Sequence, residues 1–310
     1  MIMMNNRKAF TIVELLTVVT IIALLLGILL PSIAMVRTKA KETAQKAQFV
    51  TIEMALEAFK QDYGDYPPSN WQDGASNTIV YCGAEKLTEA LLGWDLAGFD
   101  PNSAWRRDGW DALGGIGSYD PCRADGIRTL TERKGPYIDV AKTSVFRLGT
   151  TSSTTNDGLY NSATNPYFVF FDSKQPNYVI CDVFSVKKLT IPISGGQTKI
   201  VTAGTPILYY KADTSSRALT CIPQNAPKSM YKYTDNQALL SLGILPNAST
   251  AHNLWKNNGA YFCDPKYKIA DQRVPALQTG ELWPNRPDTY ILISAGADHE
   301  FGTNDDILNF

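Results

Sequence analysis

Lys8-Ala9-Phe10-Thr11-Ile12-Val13-Glu14-Leu15-Leu16 is the stretch on which the reading of the whole chain turns. Two basic residues, Arg7 and Lys8, and the small residue Ala9 precede an apolar run from Phe10 to Val36 whose one charge is Glu14. Phe10–Leu30 is long enough to span a bilayer, which takes about 20 apolar residues. No basic residue follows until Arg37, so the charge balance places the N-terminus on the cytoplasmic side.

Glu14 carries the chemistry of this run. A carboxylate inside a membrane segment costs on the order of 3 kcal/mol, so it needs a partner. The nearest candidate is an α-amino group freed by a cut before Phe10. That amine would lie about one turn away within one helix, and directly opposite Glu14 between staggered neighbouring helices. The bland alternative is a carboxylate near a helix end that snorkels to the headgroups.

The run KAFTIVELLTVVTIIALLLGILLP resembles the class III signal sequence of type IV pilins and type II secretion pseudopilins. The resemblance implies a cut between Ala9 and Phe10 by prepilin peptidase, methylation of the new Phe10 amine, and Glu14 as the glutamate that pairs with a neighbour's N-terminus during assembly. The family usually has Gly before the cut, and this chain has Ala9. It also implies a pilin fold of class α+β: a long N-terminal helix, transmembrane in its first half, packed on an antiparallel β-sheet head. The implied partners are further copies of the chain in a filament homopolymer, the inner-membrane secretion platform and minor pseudopilins, with membrane lipid before assembly. The implied place is the inner membrane, single-pass, head periplasmic. The major pseudopilin is the nearest likeness. The alternative is a type IV pilin or minor pilin of a surface fibre for adhesion, motility or DNA uptake.

Three segments follow: a leader, 1–9; a long helix, 10–63, with 10–34 in the membrane or filament core; and a head, 64–310. Beyond Val36 charged residues alternate with Ala40, Ala44, Ala47, Val50, Met54 and Ala58, one helical stripe. This stripe is expected to pack under the head. Gly64 is the expected left-handed cap, with Pro67-Pro68 beyond. Phe10–Asp62 implies about 80 Å of helix at about 1.5 Å per residue. Gly27 and Pro31 interrupt the run, and proline usually kinks a helix.

Residues 69–165 read as a loop-rich insertion with a short helix, Lys86–Trp94, closed by Gly93. Thr150–Asn165 reads as an exposed loop. Strands are expected at Tyr167–Phe171, Tyr178–Val186, Lys199–Thr202, Pro206–Lys211 and Tyr290–Ser294, bounded by turns without alternating helices, hence antiparallel.

The chain has 310 residues and a net charge of −1, which becomes −3 if Arg7 and Lys8 leave with a leader. That balance gives no reason to expect a nucleic acid as partner. The five cysteines, Cys82, Cys122, Cys181, Cys221 and Cys263, lack C-x-x-C pairs and nearby histidines, which argues against zinc. They are either disulfide formers outside the inner membrane or small buried apolar side chains. The only histidines are His252 and His299, and no G-x-S-x-G or H-E-x-x-H occurs. The chain is therefore read as structural, not as an enzyme.

The C-terminal stretch Ser294–Phe310 holds Asp298, Glu300, Asp305 and Asp306 around Gly296 and Gly302. Calcium takes six to eight oxygens. The stretch resembles the C-terminal calcium loop of the major pseudopilin. That resemblance implies Asp298, Asp305 and Asp306 as side-chain ligands, with backbone carbonyls near Phe301 and Thr303. The alternative is a solvated, metal-free acidic turn with His299 exposed.

Overall fold

The computed structural model describes residues 11–74, 80–110, 119, 130–149, 156–160, 177–193, 195–215, 230–247, 250, 252–254, 262 and 284–310. The chain divides into two compact units, Met1–Thr43 and Ala44–Phe310. The architecture is α+β: a long N-terminal helix followed by small antiparallel sheets.

Helix α1 is Ile12–Tyr63, 52 residues, and it continues through Pro31. Within the first unit every side chain from Thr11 to Ile33 is exposed. Leucine, isoleucine and valine cover all sides of this stretch, so it has no polar face to turn to water. Its few hydroxyls bond back to their own helix: Thr17 to the Glu14 carbonyl (2.9 Å), Thr20 to Leu16 (2.8 Å) and Ser32 to Ile28 (2.9 Å). A helix that satisfies its polar groups internally is the form that hydrocarbon tolerates.

In the second unit α1 turns a different stripe inward from the one expected. Gln45, Phe49, Ile52, Leu56 and Phe59 are buried, while Ala44, Ala47, Val50 and Met54 are exposed and Ala58 is half-buried. Both stripes have helical period. The rings and branched side chains of the first remove far more apolar surface from water than alanines do, at roughly 25 cal/mol per Å². Gly64 closes the helix as expected, at φ +86°, its N–H donating to Lys60 O at 2.7 Å.

Helix α2 is Gly83–Leu92, starting three residues earlier than Lys86 and ending before Trp94. Glu85 accepts the Cys82 N–H (3.0 Å) and Asn236 accepts that of Ala84 (3.0 Å), which fixes the earlier start. Gly93, at φ +90°, ends it. Every residue of α2 is buried.

The strands form three small antiparallel sheets. β1 (Val145–Arg147) pairs with β2 (Tyr178–Ile180), and β3 (Lys187–Ile193) with β4 (Gln197–Ala203). β5 (Leu208–Lys211), β6 (Tyr290–Ser294) and β7 (Ile307–Leu308) form the third, in that order. This central sheet is buried on both faces with period two. Leu208, Tyr210, Ile291 and Ile293 enter one apolar cluster with Val179, Cys181 and Leu240. Tyr209, Tyr290 and Leu292 enter the other with Phe49, Ile52, Leu56, Leu87 and Leu91. A 3₁₀ turn, Tyr233–Asn236, and helix α3, Gln237–Ser241, complete the described elements.

The expected strand Tyr178–Val186 stops at Ile180. The Asp182 carboxylate bends the chain there by accepting the N–H groups of Phe184 and Thr205 (both 3.0 Å) and the Ser294 hydroxyl (3.1 Å). The chain resumes as β3, and β4 is longer than the Lys199–Thr202 anticipated. Leu159 and Tyr160, expected in an exposed loop, are buried, because their N–H groups bond to Arg147 O and Leu148 O. Tyr167–Phe171 lies outside the described residues.

Candidate functional site

Ala9 and Phe10, the expected processing and methylation positions, lie outside the described residues. Glu14 lies within them, and it already has a partner. Its Oε2 accepts the Thr11 N–H at 2.9 Å and the Thr11 hydroxyl at 2.8 Å, while the Glu14 N–H donates to Thr11 Oγ1 at 3.3 Å. This is a reciprocal capping box: the T-x-x-E pair holds two of the four N–H groups that a helix N-terminus leaves unsatisfied, those of Thr11 and Glu14. Thr11-Ile12-Val13-Glu14 spells the box in the sequence, a sign that sequence reasoning passed over. The carboxylate is thus fixed at the first turn of a helix that is otherwise uncharged as far as Val36, at its electropositive end.

The C-terminal loop is held by its own carboxylates. Asp305 Oδ2 accepts the N–H groups of Ala297 (2.7 Å) and Asp298 (3.0 Å), and Asp305 Oδ1 accepts the Thr303 hydroxyl (2.6 Å). Asp298 accepts the Glu300 N–H (2.9 Å), and Asp306 accepts that of Gly302 (2.8 Å). Gly296, at φ +67°, leaves no room for a Cβ against the Asp305 carbonyl. Asp298 and Asp305 come together. Burial and then the neighbouring Asp305 carboxylate push Asp298 above the usual range, against the pull of the Glu300 N–H and Thr303. Burial also works on Asp305, but the Thr303 hydroxyl and the Asp298 and Ala297 amides outweigh it and hold the carboxyl low.

Asp306 is committed to Gly302, away from that pair of bonds. Among the described residues no three His, Cys, Asp or Glu side chains are gathered in the manner of a metal site. Phe301, expected to lend a carbonyl, is buried: its N–H donates to His252 Nδ1 (3.1 Å) and its carbonyl accepts the Asn253 N–H (3.0 Å). Burial drops the His252 ring to about 4, against a Gly243 backbone hydrogen bond. His299, expected exposed, is half-buried beside Thr205.

Sequence reasoning missed the charges inside α2. Glu89, fully buried, accepts the hydroxyls of Ser103 (2.5 Å), Tyr81 (2.7 Å) and Tyr119 (2.9 Å). Burial pushes its carboxyl up, while those three hydroxyls and Lys86 oppose the shift. Lys86 donates to Asn70 O (2.7 Å), Asn70 Oδ1 (2.9 Å) and Gln72 O (2.8 Å), and burial brings it down to about 8. Donors and acceptors here match in number, which is the arrangement of a brace between chain segments. Cys82 and Cys181 are buried free thiols, raised by burial, so for these two the apolar reading holds. Cys122, Cys221 and Cys263 lie outside the described residues.

With the geometry in place, comparison with known proteins adds one match. The family model described as the prokaryotic N-terminal methylation motif matches residues 4–30. It supports a type IV pilin-like chain with a prepilin-type signal, processed by prepilin peptidase and built into a filament. Helix α1 is long and apolar enough to cross a membrane and lies near the N-terminus, as such an anchor does. No curated protein and no solved structure matches the chain.

Proposed function

We propose that this chain is a structural subunit of a type II secretion pseudopilus. It is cut between Ala9 and Phe10, methylated on the new amine, and polymerised through α1 to support protein export. One observation carries the reading: the side chains of Thr11–Ile33 are apolar on every side, exposed on every side, and interrupted by one charge. Such a surface is stable only in lipid or against other apolar helices. Lipid covers it in the inner membrane, and neighbouring copies cover it in the filament.

The capping box gives Glu14 its role. In the single subunit a neutral hydroxyl and one amide hold the carboxylate. A cationic amine from the neighbour makes a stronger, charge-assisted bond in the same low-dielectric setting. Assembly then exchanges Thr11 for that amine, and the exchange sets the axial register. The head stands on the periplasmic side and meets the secretion platform and minor pseudopilins. The role is structural, not catalytic.

Calcium at the C-terminal loop belongs to the same proposal. Asp298 and Asp305 would hold the ion from one side and Asp306 would turn to it from Gly302. The ion's charge would favour the ionised Asp298 carboxylate, which burial and then Asp305 disfavour. Calorimetric titration of the detergent-solubilised full chain tests this: calcium heat in the wild type, lost in Asp298→Asn, supports it, and no heat in the wild type removes it.

The function is tested in the native host with this gene deleted. Loss of specific secreted proteins with unchanged surface fibres supports the pseudopilus. Loss of fibres with normal secretion replaces it with a type IV pilin of a surface fibre.

A further inference from the structure

The polymer reading leaves open how the heads meet, and the head carries two unused surfaces. The described residues of the second unit leave large apolar side chains in water at Val50 and Met54 on α1, at Ile193 and Ile200 on the β3–β4 hairpin, and singly at Trp110, Leu130 and Phe310; Met54 is 62% and Ile200 68% exposed. Resting on that polymer reading, we infer that the hairpin of one copy docks into the groove along α1 of the next.

The groove is open, about 830 Å³, and lined by Val50, Glu53, Met54, Glu57, Lys60 and Arg286 among others. Glu53 is neutralised by Arg286 at 2.6 Å. Glu57 accepts the Tyr66 hydroxyl at 2.6 Å and Lys60 lies over the same ring at 4.3 Å; neither enters an ion pair among the described residues, so the groove's charges balance and Glu57 is its one carboxylate open to an incoming cation. The hairpin can supply that cation. Between Lys187 and Ala203 it holds Lys187, Lys188 and Lys199 and no acid.

The ladder register sorts its faces. Leu189 pairs with Val201, and both pack on the head's core. Thr190 pairs with Ile200 and Lys188 with Thr202, so Ile200 and Lys188 share the opposite, outward face. They are diagonal neighbours, about 7–8 Å apart or less. Met54 and Glu57 lie one helical turn apart, about 5–6 Å. Ile200 set on Met54 therefore brings Lys188 to Glu57. The outer edge of β3 is covered where Thr190 donates to Asn156 O (2.8 Å), whereas β4 has no second strand partner among the described residues. At the tip, Gly195 and Gly196 have open space around them.

The contact joins two different patches. Each copy that gives its hairpin keeps its groove for another, so the contact is head-to-tail, the kind from which a filament is built. Hairpin on hairpin, or groove on groove, would close a dimer.

The test uses the full chain in its native host with a photo-crosslinking p-benzoylphenylalanine at Ile200, and at Val18 in a second strain. Ladders of multimers from both positions are expected, with the Ile200 adduct mapping by mass spectrometry to residues 47–61 of another copy. Lys188→Glu is expected to lose most of that adduct, and Lys188→Glu with Glu57→Lys to regain it. A ladder from Val18 with the Ile200 adduct absent, or mapped to a second hairpin, overturns the docking and leaves the polymer standing. No ladder from either position brings down the polymer and the docking together.

Discussion

Two helical stretches invert the usual placement of apolar and charged side chains. Thr11–Ile33 is apolar but for Glu14 and four hydroxyl residues, and every one of its side chains is exposed. Helix α2 carries Glu85, Lys86 and Glu89, and every one of its residues is buried. The difference shows that hydrophobicity alone does not decide burial. An apolar surface asks only to leave water, and lipid or a second chain serves as well as a core. A buried charge asks for partners, and α2 has them: three hydroxyls on Glu89 and three oxygens on Lys86.

The strongest way to break the comparison is to remove the one charge of the exposed helix. Glu14→Leu should abolish assembly, read as loss of cross-linked multimers, while the monomer still fractionates with membranes. Multimers at the wild-type level would take the assembly role away from Glu14. In α2, Glu89→Ala strands the buried hydroxyls of Tyr81 and Tyr119 and the half-buried one of Ser103 and should lower stability by about 4 kcal/mol, whereas Glu89→Gln, which keeps an acceptor, should cost about half as much. Denaturant titration of the solubilised full chain reads both. Equal losses would mean that the charge, not the hydrogen bonds, holds the brace.

The two stripes of α1 sharpen the same contrast within one helix. Leu56→Ala should cost about 3 kcal/mol through a cavity, and Met54→Ser less than about 0.5 kcal/mol, since Met54 faces outward. A comparable loss at Met54 would put that stripe inside the fold. His252 gives a pH-dependent counterpart. Its folded value of about 4 lies below the ordinary 6.5, so above pH 6.5 its contribution is complete, and it is lost as pH falls toward 4 because the unfolded chain binds the proton first. From pH 7 to pH 5 the wild type should lose about 2 kcal/mol more than His252→Asn in thermal melts. Parallel curves would place the ring in water.

Much of the fold was legible before any coordinates. The anchor helix, its Gly64 cap, the class α+β and the strands around Leu208–Lys211 and Tyr290–Ser294 are local patterns, and local patterns survive folding. The inward stripe of α1 differs from the expected one because two stripes share one period, and the sheet packed against the helix takes the one with the larger apolar side chains, Phe49, Ile52, Leu56 and Phe59. The break after Ile180 was hidden because Asp182 draws its donors from Phe184 and from Thr205, far along the chain. In the C-terminal loop the sequence named the acids but could not tell that Asp305 and Asp306 serve different backbone amides.

Where the chain leaves water is written in its composition. A run of apolar residues with one carboxylate behind a basic leader has the same free energy of transfer to lipid whatever the head does. How the head holds together and what it leaves uncovered are set by contacts within the folded chain. Which stripe of α1 is buried, how Glu89 and Lys86 endure without water, and that Met54 and Ile200 remain exposed all depend on groups brought together from distant parts of the chain. Their energies arise only once those groups are in contact, so no reading of neighbours along the sequence contains them.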